Sequence, residues 1–83
     1  MISGAQIRAA RALLGLSATE LAERAGVGWA TVQRFESAEG LPQGRSSTLQ
    51  RIQDTLENAG VTFVGDPVAS PGVQLRREAS GQR

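Results

Sequence analysis

Residues 17–36 read S-A-T-E-L-A-E-R-A-G-V-G-W-A-T-V-Q-R-F-E, and this stretch decides the fold. Ser17 followed by Glu20 is a capping box: the hydroxyl accepts from the third helical N–H and the carboxylate reaches back, so a helix starts abruptly. Leu21, Ala22 and Ala25 then share one face, leaving Glu20, Glu23 and Arg24 to solvent. Gly26 stands where a chain leaves a helix through the left-handed region, which is easy only without a Cβ. The helix therefore stops at Ala25. A second restarts at Gly28, with Val27 anchored in the core and Val32 and Phe35 continuing the apolar stripe. Small Ala22 lets the two backbones approach at a steep angle, which predicts a helix-turn-helix. Such pairs also occur in ordinary helical bundles, so the spacing alone leaves DNA binding open.

The whole chain sets the bounds. Its 83 residues suffice for one domain with a modest core, which predicts a homodimer as a source of added stability. No cysteine and no histidine are present, which removes disulfides, thiolates, the commonest general base and the commonest metal ligands. The expectation is a non-enzyme with no cofactor and no metal. No apolar run approaches the roughly 20 residues of a membrane span, and charge arrives early at Arg8 and Arg11, before any signal-peptide core. A soluble cytoplasmic protein without a membrane partner is expected. Nine basic residues against eight acidic give a net charge of +1, far from a cationic nucleic-acid coat. All nine are arginine, the side chain suited to bidentate phosphate or guanine recognition. Codon bias in a GC-rich genome yields the same composition, so location has to decide.

Outward from the central stretch, Ser3 and Gln6 form another capping box, opening a helix with Ile7, Ala10 and Leu14 on one face and an end near Gly15. Arg8 and Arg11 lie on its polar side, as phosphate contacts or as solvated charges; solvation is favoured for Arg8. The run S-A-E-G-L-P-Q-G-R-S-S after Glu36 reads as a loop that returns Leu41 to the core. Ser47 with Gln50 makes a third capping box, and Leu49, Ile52 and Leu56 define a helix to about Ala59, stopped by Gly60. Arg45, Ser46 and Ser47 read either as a phosphate clamp at a helix N-terminus or as plain capping. From Val61 the period changes: Val61 and Phe63 share a face, a long turn follows, then Val73 and Leu75 share a face. This predicts a β-hairpin over 61–77 after a helical domain over 1–60, and a disordered tail over 78–83. Two strands alone are marginal in water, so the hairpin either packs on its own helices or pairs across a dimer through Val61, Phe63, Val64, Val73 and Leu75.

The run S-x-x-E-L-A-x-x-A-G-V followed by T-V-Q-R-F-E resembles the lambda-repressor/Cro-like (XRE-type) helix-turn-helix family. The resemblance covers residues 3 to about 59. Leu21, Ala22, Ala25, Gly26, Val27, Val32 and Glu36 sit where that family places core or turn residues. The hairpin is similar to the Cro branch, whose members pair a C-terminal strand across a dimer axis. The fold implied is mainly α: four helices of the lambda-repressor-like type, then a C-terminal β-hairpin at the dimer interface. The function implied is a dimeric bacterial or phage transcription regulator on a pseudo-palindromic operator. Its second motif helix, 28–36, would lie in the major groove, with half-sites about one DNA turn apart.

Departures from the family pattern carry information. Where the family often has a phosphate-holding glutamine after the helix-opening Ser or Thr, this chain has Ala18. Where the family presents polar residues to bases, this chain has Gly28, Trp29 and Ala30. Direct readout then falls to Thr31, Gln33 and Arg34, with Trp29 or Ala30 against a thymine methyl. Gln33 suits adenine, and Arg34 suits guanine or phosphate. The backbone contacts expected are Ser17, Gly28, Arg45, Ser46, Ser47 and Arg11. A second reading keeps the scaffold and turns it to protein binding, as an antiactivator or antitoxin-like module with Trp29 as aromatic anchor. Burial of Trp29 against Leu41 or the hairpin would instead make it core. No separate sensor domain is visible, so the sequence gives no reason to expect a small-molecule effector.

Overall fold

The computed structural model describes residues 1–38 and 46–76, except the side chain of Ser46. Leu41, Arg45 and the tail 78–83, each given a role above, lie outside the described residues. Both leading capping boxes form. Ser3 Oγ accepts from the Gln6 N–H at 3.3 Å while Gln6 Oε1 accepts from the Ser3 N–H at 3.0 Å, opening α1 (Gly4–Leu14). Ser17 Oγ accepts from the Glu20 N–H at 3.0 Å and Glu20 Oε1 accepts from the Ser17 N–H at 2.8 Å, opening α2 (Ala18–Ala25). Gly26 closes α2 at φ 70°, and the Val27 N–H reaches back to the Ala22 carbonyl at 3.0 Å. The chain turns within Gly26 to Gly28 and enters α3 (Trp29–Ser37).

α4 (Ser46–Asn58) follows, then β1 (Val61–Val64) and β2 (Gly72–Leu75), paired antiparallel with Val61 opposite Leu75 and Phe63 opposite Val73. The helix starts at Ser46, so Ser47 lies inside its first turn and not at the cap. The expected box with Gln50 is replaced by a Gln50 amide that donates to Asp54 Oδ1 at 2.8 Å. The core joins Ile7 and Ala10 of α1, Leu21 and Ala22 of α2, Val32 and Phe35 of α3 and Ile52 and Leu56 of α4. Ile2, before the first cap, is buried with them.

The hairpin packs on its own helices. Val61 is buried, and Phe63, Val73 and Leu75 are half-buried against the same core. Of the two settings offered above for its apolar face, the domain's own helices therefore take up most of it. Val64 lies on the other face of the ladder, opposite Gly72. Gln6 fixes the arrangement: it is 2 % exposed, and its amide nitrogen donates to the Val64 carbonyl at 3.3 Å and the Gly72 carbonyl at 3.0 Å. One buried side chain thus caps α1 and clamps the end of the hairpin with its hydrogen-bonding capacity met.

Candidate nucleic-acid interface

Helix α3 is built as a presented element. Its buried side, Val32, Phe35 and Glu36, faces the core. Helical periodicity then puts Ala30, Gln33, Arg34 and Ser37 on the opposite face, with Trp29, three residues before Val32 and seven before Glu36, on the flank at the helix start. Of these, Trp29, Ala30, Arg34 and Ser37 are exposed and Gln33 is half-buried. Thr31 falls on the flank, half-buried, and is not brought into that row. Trp29 is 55 % exposed, so its ring is not a core residue. The Arg34 guanidinium carbon stands 5.5 Å from the Phe35 ring centroid, within cation–π range.

The start of α3 lacks a side-chain cap. Gly28 supplies only its carbonyl, which accepts from the Thr31 and Val32 N–H groups at 3.1 and 3.2 Å. The first N–H groups of the helix are therefore left to solvent or to an anion. Gly28, Ser17 and Ser47 are exposed. In the α2 cap the Ser17 hydroxyl oxygen accepts and its N–H donates, which leaves the hydroxyl proton as its remaining donor. Ala18 is buried, so no polar group stands at the position the family fills with glutamine.

Arg11, expected on the DNA backbone, is held inside the fold. Its Nε and Nη2 donate to the two Glu36 oxygens at 2.8 and 3.1 Å, and its Nη1 donates to the Leu16 carbonyl at 3.1 Å. The cause is Glu36 itself: a carboxylate that is 5 % exposed requires a charged partner. The same pairing raises the Arg11 pKa above its ordinary value. Arg8 is drawn to the same place, its Nη1 donating to the Glu36 carbonyl. The C-terminal half of α3 is thereby tied to α1 by two arginines.

One cation near the motif was not singled out by the sequence. Arg51, exposed on α4, donates to the Gly26 carbonyl at 3.2 Å and so stands beside the turn. The two residues are 25 apart in the chain, and no local pattern announces a contact of that range. Among the described residues, no group of His, Cys, Asp or Glu is placed to hold a metal ion, and no helix is long and apolar enough to cross a membrane.

Comparison with known families places this geometry. A helix-turn-helix family model matches residues 7–56, from the first turns of α1 to the last turns of α4. A search of curated proteins found no match. The matched span contains the capped α2, the Gly26 turn, the presented α3 and the Arg11–Glu36 pair. The chain belongs to the lambda-repressor-like (XRE-type) helix-turn-helix family, a family of DNA-binding regulators.

Proposed function

We propose that this protein is a cytoplasmic, dimeric, sequence-specific transcription regulator that reads double-stranded DNA with α3 in the major groove. The observation that carries the reading is the row of Ala30, Gln33 and Arg34, flanked by exposed Trp29 at the helix start, on a helix whose other face is locked to the core and to Arg11. In this reading Gln33 recognises adenine and Arg34 guanine or a phosphate, while Trp29 and Ala30 lie against thymine methyl groups. Thr31, on the flank, reaches the edge of the groove. Gly28, Ser17 and Ser47, together with Arg45 and Ser46, meet the sugar–phosphate backbone. Arg11 joins that set only through its two remaining N–H groups, since three of its five are committed to Glu36 and Leu16. Pairing of two copies through the hairpin would set two α3 helices about one DNA turn apart on a pseudo-palindrome.

Salt dependence tests the electrostatic half of this proposal. Affinity for the DNA upstream of its own coding sequence is expected to fall steeply and log-linearly with salt, as each neutralised phosphate adds about 0.9 to the slope. A flat response, or no complex at low salt, contradicts it.

The exposure of Trp29 favours one second reading, a scaffold that docks a protein through an aromatic anchor. Trp29→Ala separates the two. Loss of a protein partner with DNA affinity unchanged supports docking, whereas weakened DNA binding supports the major-groove role.

A further inference from the structure

An open cleft of about 330 Å³ lies between the first turn of α1, the end of α3 and the loop joining β1 to β2. Its volume is at the lower end of the range that holds small molecules, about 300 to 1,000 Å³. One wall is apolar and belongs to the loop: Pro67, Val68 and Pro71. That wall is preformed. Asp66 Oδ2 accepts from the Val68 and Ala69 N–H groups at 3.0 and 2.6 Å, and the Ser70 N–H donates to the Asp66 carbonyl at 3.1 Å. Val68 is 58 % exposed, an apolar side chain held out toward the cleft mouth without a covering partner among the described residues.

The opposite wall carries donors and one positive charge. Arg8 lines it, held in place by the bond from its Nη1 to the Glu36 carbonyl. Its charge is not neutralised by Glu36, because both carboxylate oxygens there are taken by Arg11. No carboxylate is among the described lining residues. Ser3 also lines the cleft and is 3 % exposed. Its hydroxyl oxygen accepts from the Gln6 N–H, while its proton has no acceptor among the described residues. A buried hydroxyl with an unspent proton, in the same cleft as a guanidinium that has no carboxylate partner among the described residues, calls for an acceptor that carries negative charge.

We propose that this cleft binds a small organic carboxylate with a compact apolar body. The carboxylate accepts from Arg8 and the Ser3 hydroxyl, and the body lies against Pro67, Val68 and Pro71. The site is separate from the reading face of α3, which it touches only at the last residues through Ser37. It gives the domain a place for an effector without any added sensor domain.

The test uses isovalerate and benzoate as probes, titrated into the isotopically labelled full chain at fixed pH and ionic strength, with amide proton–nitrogen spectra as the readout. Saturable shifts are expected at Ala5, Arg8, Ser37 and Val68, with none from the neutral isostere isovaleramide at the same concentrations. Arg8→Gln is expected to weaken binding about tenfold, the scale of one lost charge-assisted hydrogen bond. Because Arg8 also touches Glu36, Val68→Asp provides a second variant at an exposed position, and it is expected to abolish binding by placing a like charge in the apolar wall. Non-saturating shifts with both probes overturn the proposal, as do shifts spread over the other arginines, an equal response to isovaleramide, or unchanged affinity in both variants. No DNA enters the experiment, so its outcome stands apart from that of the DNA-reading proposal.

Discussion

Glu36 and Glu20 use a carboxylate in opposite settings. Glu36 is buried, and Arg11 compensates it with two N–H···O bonds while staying 25 % exposed itself. Arg11→Met strands that carboxylate, and urea unfolding is expected to show a loss of about 2 to 4 kcal/mol, toward the low side of buried pairs because Arg11 is partly wet. Adding Glu36→Leu should recover much of the loss, since an apolar pair of similar volume leaves no stranded charge. Glu20 is on the surface, and its carboxyl is held below the ordinary range by the Ser17 N–H and hydroxyl. A depressed folded-state value means that its contribution is present above the unfolded value and lost as pH falls through the folded one. Glu20→Gln cannot titrate, so the wild-type advantage in Tm near pH 7 should shrink as the pH falls below the ordinary glutamate value of about 4.3, as read by thermal melts. The sequence announced Glu20, whose partner is three residues away. It did not announce the role of Arg11, because helical spacing tells which face a side chain occupies and not what stands 25 residues further on.

The same division runs through the elements. α1, α2 and the Gly26 turn were legible because their signals are local: capping pairs at i and i+3, an apolar stripe, a glycine at φ 70°. The hairpin was legible as two strands, yet whether its apolar face met the chain's own helices or a partner was not, since period-2 alternation marks a face without saying what covers it. Contact between α1 and α3 was invisible for the same reason. A Cβ added at Gly4 would collide with the Phe35 and Glu36 carbonyls, so the glycine is what lets the start of α1 sit on the end of α3. Helix propensity favours alanine there by up to about 1 kcal/mol, whereas overpacking against backbone costs about 1 to 3 kcal/mol. Gly4→Ala is therefore expected to destabilise, and a rise in the urea midpoint would show that α1 and α3 approach less closely than described.

For the molecule as a whole, the hairpin is part of the core. Val61 is buried, and Gln6 on α1 clamps Val64 and Gly72. Truncation after Gly60 should then abolish cooperative thermal unfolding monitored by circular dichroism; a truncated chain that melts cooperatively would mean that the helices close without the strands. The helix-turn-helix scaffold was legible in residues 17–36 and the family follows from the match over residues 7–56, whereas in the proposed reading base recognition rests on four side chains of α3, of which Ala30 offers no hydrogen-bonding group and Trp29 only its indole N–H. The central claim is that this face reads bases. Selection from a random duplex pool, followed by titration of the enriched site, tests it most directly. The prediction is a reproducible motif, bound more tightly than its scrambled form, with Gln33→Ala and Arg34→Ala each weakening the specific complex by about 1 to 3 kcal/mol. No enriched motif, or an affinity for the enriched site that neither substitution changes, would contradict it.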